Sequence, residues 1–221
     1  MRIALTVVLA AGCLALSPPV AAEPASTCPP ACNRIPETAW VSPSAIPLDA
    51  VYDWPQLAGL AVTSRAPRFH FEELCASPAS PATPADPRDY AIAERSVVSN
   101  PAGQWQLQAQ VVHGRGETWR GGQLALDAFT AAVSALRACQ ATNAESSPSL
   151  IVDEPDRMAA VISGPVILHQ YLVADPVNST ITELALWSEA PPQDPWPMIT
   201  DTAVLDALAA PLCTAYIGSC P

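Results

Sequence analysis

The residues of this chain best equipped for chemistry are its seven cysteines and three histidines. Three residues separate Cys28 from Cys32 and six separate Cys213 from Cys220, spacings open to metal ligation or to disulfides. Zinc sites usually join such a knuckle to a second Cys-x-x-Cys or to a spaced histidine pair, and an oxidising compartment favours disulfides over free thiolates. His70 and Glu72 would share one face of a strand and could bind a metal, although an exposed pair is the plainer expectation. His113, beside Gly114-Arg115-Gly116, could act as a base or contact an anion, against the simpler reading of a turn histidine without a role. His169 interrupts an apolar run and is expected to be hydrogen-bonded and partly buried. Asp153, Glu154 and Asp156 cluster at a turn and could hold calcium, but Pro155 and the lack of regularly spaced oxygen ligands favour a solvated turn. There is no Gly-x-Ser-x-Gly elbow, no His-Glu-x-x-His and no phosphate loop in the sequence. No catalytic residue, metal or cofactor is assigned on this basis.

The first 22 residues read as an export signal. Met1-Arg2 supplies the positive start, Ile3 to Leu16 an apolar run, and Val20-Ala21-Ala22 a small-residue cleavage site. Leu9-Ala10-Ala11-Gly12-Cys13 also resembles a lipobox, but the apolar stretch behind Cys13 is unlike a soluble tether. The expectation is therefore a soluble mature chain, secreted or held in the cell envelope. No later stretch approaches the ~20 apolar residues of a membrane span. Removing the signal leaves six cysteines: Cys28, Cys32, Cys75, Cys139, Cys213 and Cys220. An even number in an exported chain points to a closed disulfide set, with fifteen possible connectivities for six cysteines.

Composition sets further bounds. Of the 221 residues, 50% are hydrophobic, but forty are alanine, so the apolar fraction overstates the core. All ten basic residues are arginine and the formal charge is -11, which disfavours nucleic acid and anionic lipid as partners. The 25 prolines concentrate in a lead-in (23–48), a loop at 77–87 and a linker at 191–197. A single domain over residues 49–221 follows.

Its elements are legible from periodicity. Leu48 to Leu60 suggests a short helix broken at Trp54-Pro55, and Phe69-His70-Phe71 alternates like a strand. Tyr90 to Ser99 and Gln104 to Val112 flank Asn100-Pro101-Ala102-Gly103, a hairpin turn with glycine where a left-handed residue is needed. In the second strand Trp105, Leu107, Ala109 and Val111 alternate with Gln104, Gln106, Gln108 and Gln110, which predicts a solvated glutamine face, with a ligand groove as the alternative. After Arg120-Gly121-Gly122 comes a helix with Leu126, Phe129, Val133 and Leu136 on one side, which ends at Cys139. Strands at 150–153, 158–162, 166–173 and 180–187 form a meander, and Thr200 caps a last helix, Asp201 to Leu212. The sum is an α+β fold, an antiparallel sheet with helices packed on one face and stabilised by disulfides.

The segment Tyr90 to Ser99, the strand around Trp105 with Gln110-Val111-Val112, and the helix from Ala125 to Cys139 resemble the extracellular sensor domain of the PknH type. The resemblance implies a bridge from Cys75 to Cys139 and a groove for an extracellular ligand, with Cys213 and Cys220 standing in for a second bridge near the C terminus. Only six residues lie between those two, fewer than the family's last bridge spans, and Cys28 and Cys32 fall outside the matched region. Neither a kinase domain nor a later membrane span is read in the sequence, so signalling through an attached kinase does not carry over.

The functional expectation is a non-enzymatic binding or sensing domain for a small molecule, cell-wall fragment or peptide. Trp105, Arg95, Gln106, Gln108 and His113 are the candidate ligand contacts, because aromatic faces and amide edges suit sugar-like or amphipathic ligands. An envelope interaction module is the alternative, with Trp40, Trp54 and Pro195-Trp196-Pro197 as exposed anchors for a partner protein. A hydrolase without a recognisable motif is the third reading.

Overall fold

The computed structural model describes residues 32–65, 67–76, 91–217 and Ser219. The expected export signal, Cys13, Cys28, Cys220 and the proline loop at 77–87 lie outside the described residues.

Seven antiparallel strands form one sheet in the order β1-β2-β3-β7-β6-β5-β4. β1 (Val62–Thr63), β2 (Ala91–Val98) and β3 (Gln106–Gly114) make one end; β4 (Ser147–Asp153), β5 (Arg157–Ser163), β6 (Val166–Asp175) and β7 (Thr180–Glu189) meander back from the other. The meander closes on the hairpin through β7 and β3, with Leu107 opposite Leu186 and Gln110 opposite Glu183. Gly103 takes the left-handed conformation expected of it, φ +81°. The meander strands form where alternation and turn residues place them, each extended by one to three residues at an end.

The helices are α1 (Asp49–Tyr52), α2 (His70–Leu74), α3 (Thr118–Arg137), α4 (Cys139–Thr142) and α5 (Asp201–Ala215). The α+β class stands, but the helices cover both faces of the sheet rather than one. Side chains alternate across a strand, so the two apolar sets of β6 and β7 separate by parity. Tyr171, Val173, Leu184 and Leu186 pack with Val204, Leu205, Leu208 and Leu212 of α5 on the front. Leu168, Leu172, Ile181 and Ala185 pack with Phe129, Val133 and Leu136 of α3 on the back. Both faces of the central strands are therefore covered, and the almost entirely apolar run of β6 reports that double burial.

Three sequence expectations are corrected. Phe69-His70-Phe71 is not a strand: it opens α2, where Glu72 Oε2 accepts from the Phe69 backbone N–H at 2.7 Å and Phe71 is fully buried. The lead-in is not peripheral, because Ile35, Ala39, Trp40, Val41 and Ile46 belong to the front core. Finally, α3 starts at Thr118 and includes Gly121 and Gly122. A Cβ on Gly122 would sit 2.3 Å from the Pro176 carbonyl oxygen, so the helix can approach the β6–β7 turn only with glycine there.

Cys75, at the end of α2, is bonded to Cys139, at the start of α4, with 4.9 Å between Cα atoms. The pairing implied by the resemblance is present. Thr142 Oγ1 donates to the Cys75 carbonyl at 2.6 Å and Asn143 Nδ2 to that of Leu74 at 2.9 Å, so the last carbonyls of α2 are satisfied beside the bridge. Cys32 and Cys213 are each in a disulfide of their own as well. The pairing of Cys28 and Cys220 lies outside the described residues.

Candidate functional site

Two prolines in the lead-in, Pro43 and Pro47, and two in the linker, Pro195 and Pro197, fix φ and withhold N–H donors, so neither segment can continue a helix or join the sheet. Both lie across the front of the molecule beside α5. Between them runs a groove of about 660 Å³. Ser44 to Val51 form one wall, Asp194, Pro195, Pro197 and Ile199 the other, and Ala203 and Ala207 of α5 complete it. That volume is of the size that holds a drug-sized ligand. The lining is mainly apolar, including Ile46, Leu48, Val51 and Ile199.

The walls are tied together from behind. The Tyr52 hydroxyl donates to Asp194 Oδ2 at 2.6 Å and accepts from the Trp105 backbone N–H at 3.2 Å. The Trp105 indole N–H donates to the Asp194 carbonyl at 2.8 Å. On the first wall, the Trp54 indole donates to the Pro47 carbonyl at 2.8 Å, and its backbone N–H donates to Asp49 Oδ1 at 3.1 Å. Leu48, which lines the groove, holds φ +68°, a conformation that a bulky side chain rarely adopts. Its carbonyl accepts from the N–H groups of Val51 and Tyr52, so α1 itself maintains the strained residue. Such strain costs on the order of 1–3 kcal/mol and persists where the surroundings over-determine it.

The candidate contacts do not converge on this groove. Trp105 stands behind the linker wall, fully buried under Trp196, whose ring is 5.1 Å from its own and stacks 3.5 Å from that of His169. Gln106 braces the hairpin turn, accepting from the Asn100 N–H at 2.7 Å and donating to its carbonyl at 2.9 Å. His113 is not a turn histidine: it is buried in β3, with Nδ1 2.8 Å from Thr180 Oγ1, Nε2 3.1 Å from the Cys32 carbonyl, and its ring stacked on Tyr216. Arg95 and Gln108 are on the back face. Half of the glutamine row is not solvated: Gln108 and Gln110 are buried beneath α2 and its flanks, while Gln104 and Gln106 are half-buried.

There the glutamines join a polar cluster around a residue that the sequence reading passed over. Glu183 is fully buried on the back face. Oε1 accepts from the His70 backbone N–H at 2.6 Å and from Gln170 Nε2 at 3.0 Å, and Oε2 accepts from Gln108 Nε2 at 3.0 Å. Burial pushes its carboxyl up to about 7, against these three donors and the nearby Arg95 charge, which favour ionisation. Arg95 itself is held by Gln110 Oε1 at 3.1 Å, the Arg68 carbonyl at 2.6 Å and Glu73 Oε1 at 3.4 Å. His70 stacks on Trp187 at 3.8 Å, and burial, with the Arg95 charge, lowers it to about 4. The cluster anchors α2 to the sheet. A carboxylate in register with a glutamine on the neighbouring strand was the available signal.

Other chemical candidates resolve into structural roles. His70 and Glu72 sit on α2 and turn apart, one to Trp187 and the other to the Phe69 N–H. His169 is buried, but among the described residues its Nδ1 finds no hydrogen-bond partner, contrary to the expectation of a bonded histidine; burial lowers it to about 4. Asp153 pairs with Arg137. Trp40 and Trp54 are core residues rather than exposed anchors, and Trp196 is half-buried. Among the described residues no group of three potential metal ligands assembles, and no helix is long and apolar enough to cross a membrane. No family model matches the sequence, and neither a curated protein nor a solved structure gives a significant match.

Proposed function

We propose that this is an exported binding domain that takes a small, largely apolar ligand in the groove between the lead-in and the 194–199 linker. The single observation that carries the reading is the groove itself, about 660 Å³ between two proline-fixed walls tied to Trp105 of the sheet. A cleft whose walls are already hydrogen-bonded loses little conformational entropy when a ligand enters, which favours binding over a surface that must order first. None of the side chains whose ionisation burial displaces most, Glu183 and His70 on the back face and His169, Tyr171 and Tyr216 on the front, lines the groove. That separation supports binding rather than catalysis. Kinship with PknH-type sensor domains and export through the N-terminal signal belong to the same proposal; the bridge from Cys75 to Cys139 accords with both.

The test is occupancy of the groove. Decyl maltoside, used below its micellar concentration, should bind saturably by calorimetry with one site per chain. Ala207→Phe, which places a ring into the cleft from α5, should remove that binding while the melting temperature stays within a few degrees. Equal binding by the Ala207→Phe chain would refute the assignment.

A further inference from the structure

The groove is lined by one sign of charge only. Its charged residues are Asp49 and Asp194, and among the described residues no arginine lines it. Each carboxylate is held by one oxygen, Asp49 Oδ1 by the Trp54 N–H and Asp194 Oδ2 by the Tyr52 hydroxyl. The other oxygen of each has no hydrogen-bond partner among the described residues. An anionic head would meet only negative side chains in the groove, whereas a cationic head would find a carboxylate on either wall. The wider field acts in the same sense, for the chain carries ten arginines, no lysine and a formal charge of -11. The remaining lining, which includes Ile46, Leu48, Val51, Pro195 and Ile199, is mostly apolar and suits an aliphatic or alicyclic body.

From this we infer that the groove selects amphiphiles that carry a positive charge, an apolar body lying along Ile46, Leu48 and Ile199 with a cationic group at Asp49 and Asp194. The inference rests on the binding reading above and adds the chemical class of ligand.

The experiment uses the full exported chain and three ten-carbon probes, each below its micellar concentration: decyltrimethylammonium, decyl maltoside and decanoate. The cationic probe should bind roughly tenfold more tightly than decanoate, with the neutral one between them, and added salt should weaken the cation alone. Asp49→Asn with Asp194→Asn keeps an oxygen acceptor at each position and should bring the cationic and neutral probes to equal affinity. If the double variant fails to fold, the salt dependence of the unaltered chain decides the matter. Decanoate binding as tightly as the cation, or a cation affinity indifferent to salt, would overturn the charge selection and leave the groove intact. Failure of all three probes to bind would overturn both readings.

Discussion

The hydroxyl of Tyr52 and the carboxylate of Asp194 meet at 2.6 Å across 142 residues of sequence, and this contact joins the two walls of the groove. The same hydroxyl accepts from the buried backbone N–H of Trp105. Tyr52→Phe removes both bonds and orphans that donor. The expected loss is about 1–3 kcal/mol of stability in urea, together with weaker decyl maltoside binding. A Tyr52→Phe chain with unchanged stability and unchanged probe affinity would show that the contact holds nothing in place.

The bridge between Cys75 and Cys139 closes 64 residues of sequence. In the chain-entropy model such a loop stabilises by about 4 kcal/mol. Replacing both cysteines by alanine should therefore lower the denaturation midpoint strongly and loosen α2 first, which hydrogen exchange at Glu73 and Leu74 would reveal. A shift of less than about 1 kcal/mol would mean that the carbonyl caps from Thr142 and Asn143 suffice without the bridge.

Glu183 governs one part of the pH response. Its folded value, about 7, lies above its ordinary 4.5, so the folded state holds the proton more tightly. That contribution to stability is fully present below about pH 4.5 and is lost as pH rises through 7. His70 and His169 act oppositely, being lowered to about 4 from 6.5, and their contributions are present above pH 6.5 and fade as pH falls through 4. In Glu183→Gln the first dependence disappears. The stability of the variant relative to the unaltered chain should then rise between pH 4.5 and 7 by on the order of 3 kcal/mol. A difference that stays flat over that window would place the Glu183 carboxyl at an ordinary acidity.

Glycine content supplies a steric test. Gly122→Ala drives a methyl onto the Pro176 carbonyl, with only 2.3 Å available, while Gly59→Ala meets no atom within 4 Å. The first substitution should cost more than about 2 kcal/mol and the second less than about 0.5. Similar losses at both positions would contradict the close approach of α3 to the β6–β7 turn.

The hairpin, the meander and α5 were readable because their apolar residues repeat at the period of the element, and Thr200 caps α5 as its sequence position suggests, accepting from the Ala203 N–H at 3.3 Å. The covering of the sheet was not. Strict alternation from Gln104 to Val111 identifies two faces but says nothing of what lies on each, and α2 supplies a lid over Gln108 and Gln110 from far upstream in the sequence. α2 itself was hidden because three alternating residues, Phe69 to Phe71, carry too short a pattern to separate strand from helix. The groove was hidden for a different reason. Its walls are single helical turns and irregular stretches punctuated by prolines, and the Tyr52–Asp194 contact reveals that they face each other.

The location of ligand binding tests the account most directly. Amide chemical-shift mapping of the isotopically labelled chain with decyl maltoside should show saturable shifts confined to residues 44–51, 194–199 and 203–207, with Gln108, Gln170 and Glu183 on the opposite face unmoved. Shifts centred on Gln108, Gln170 and Arg95, or no saturable shift anywhere, would contradict it.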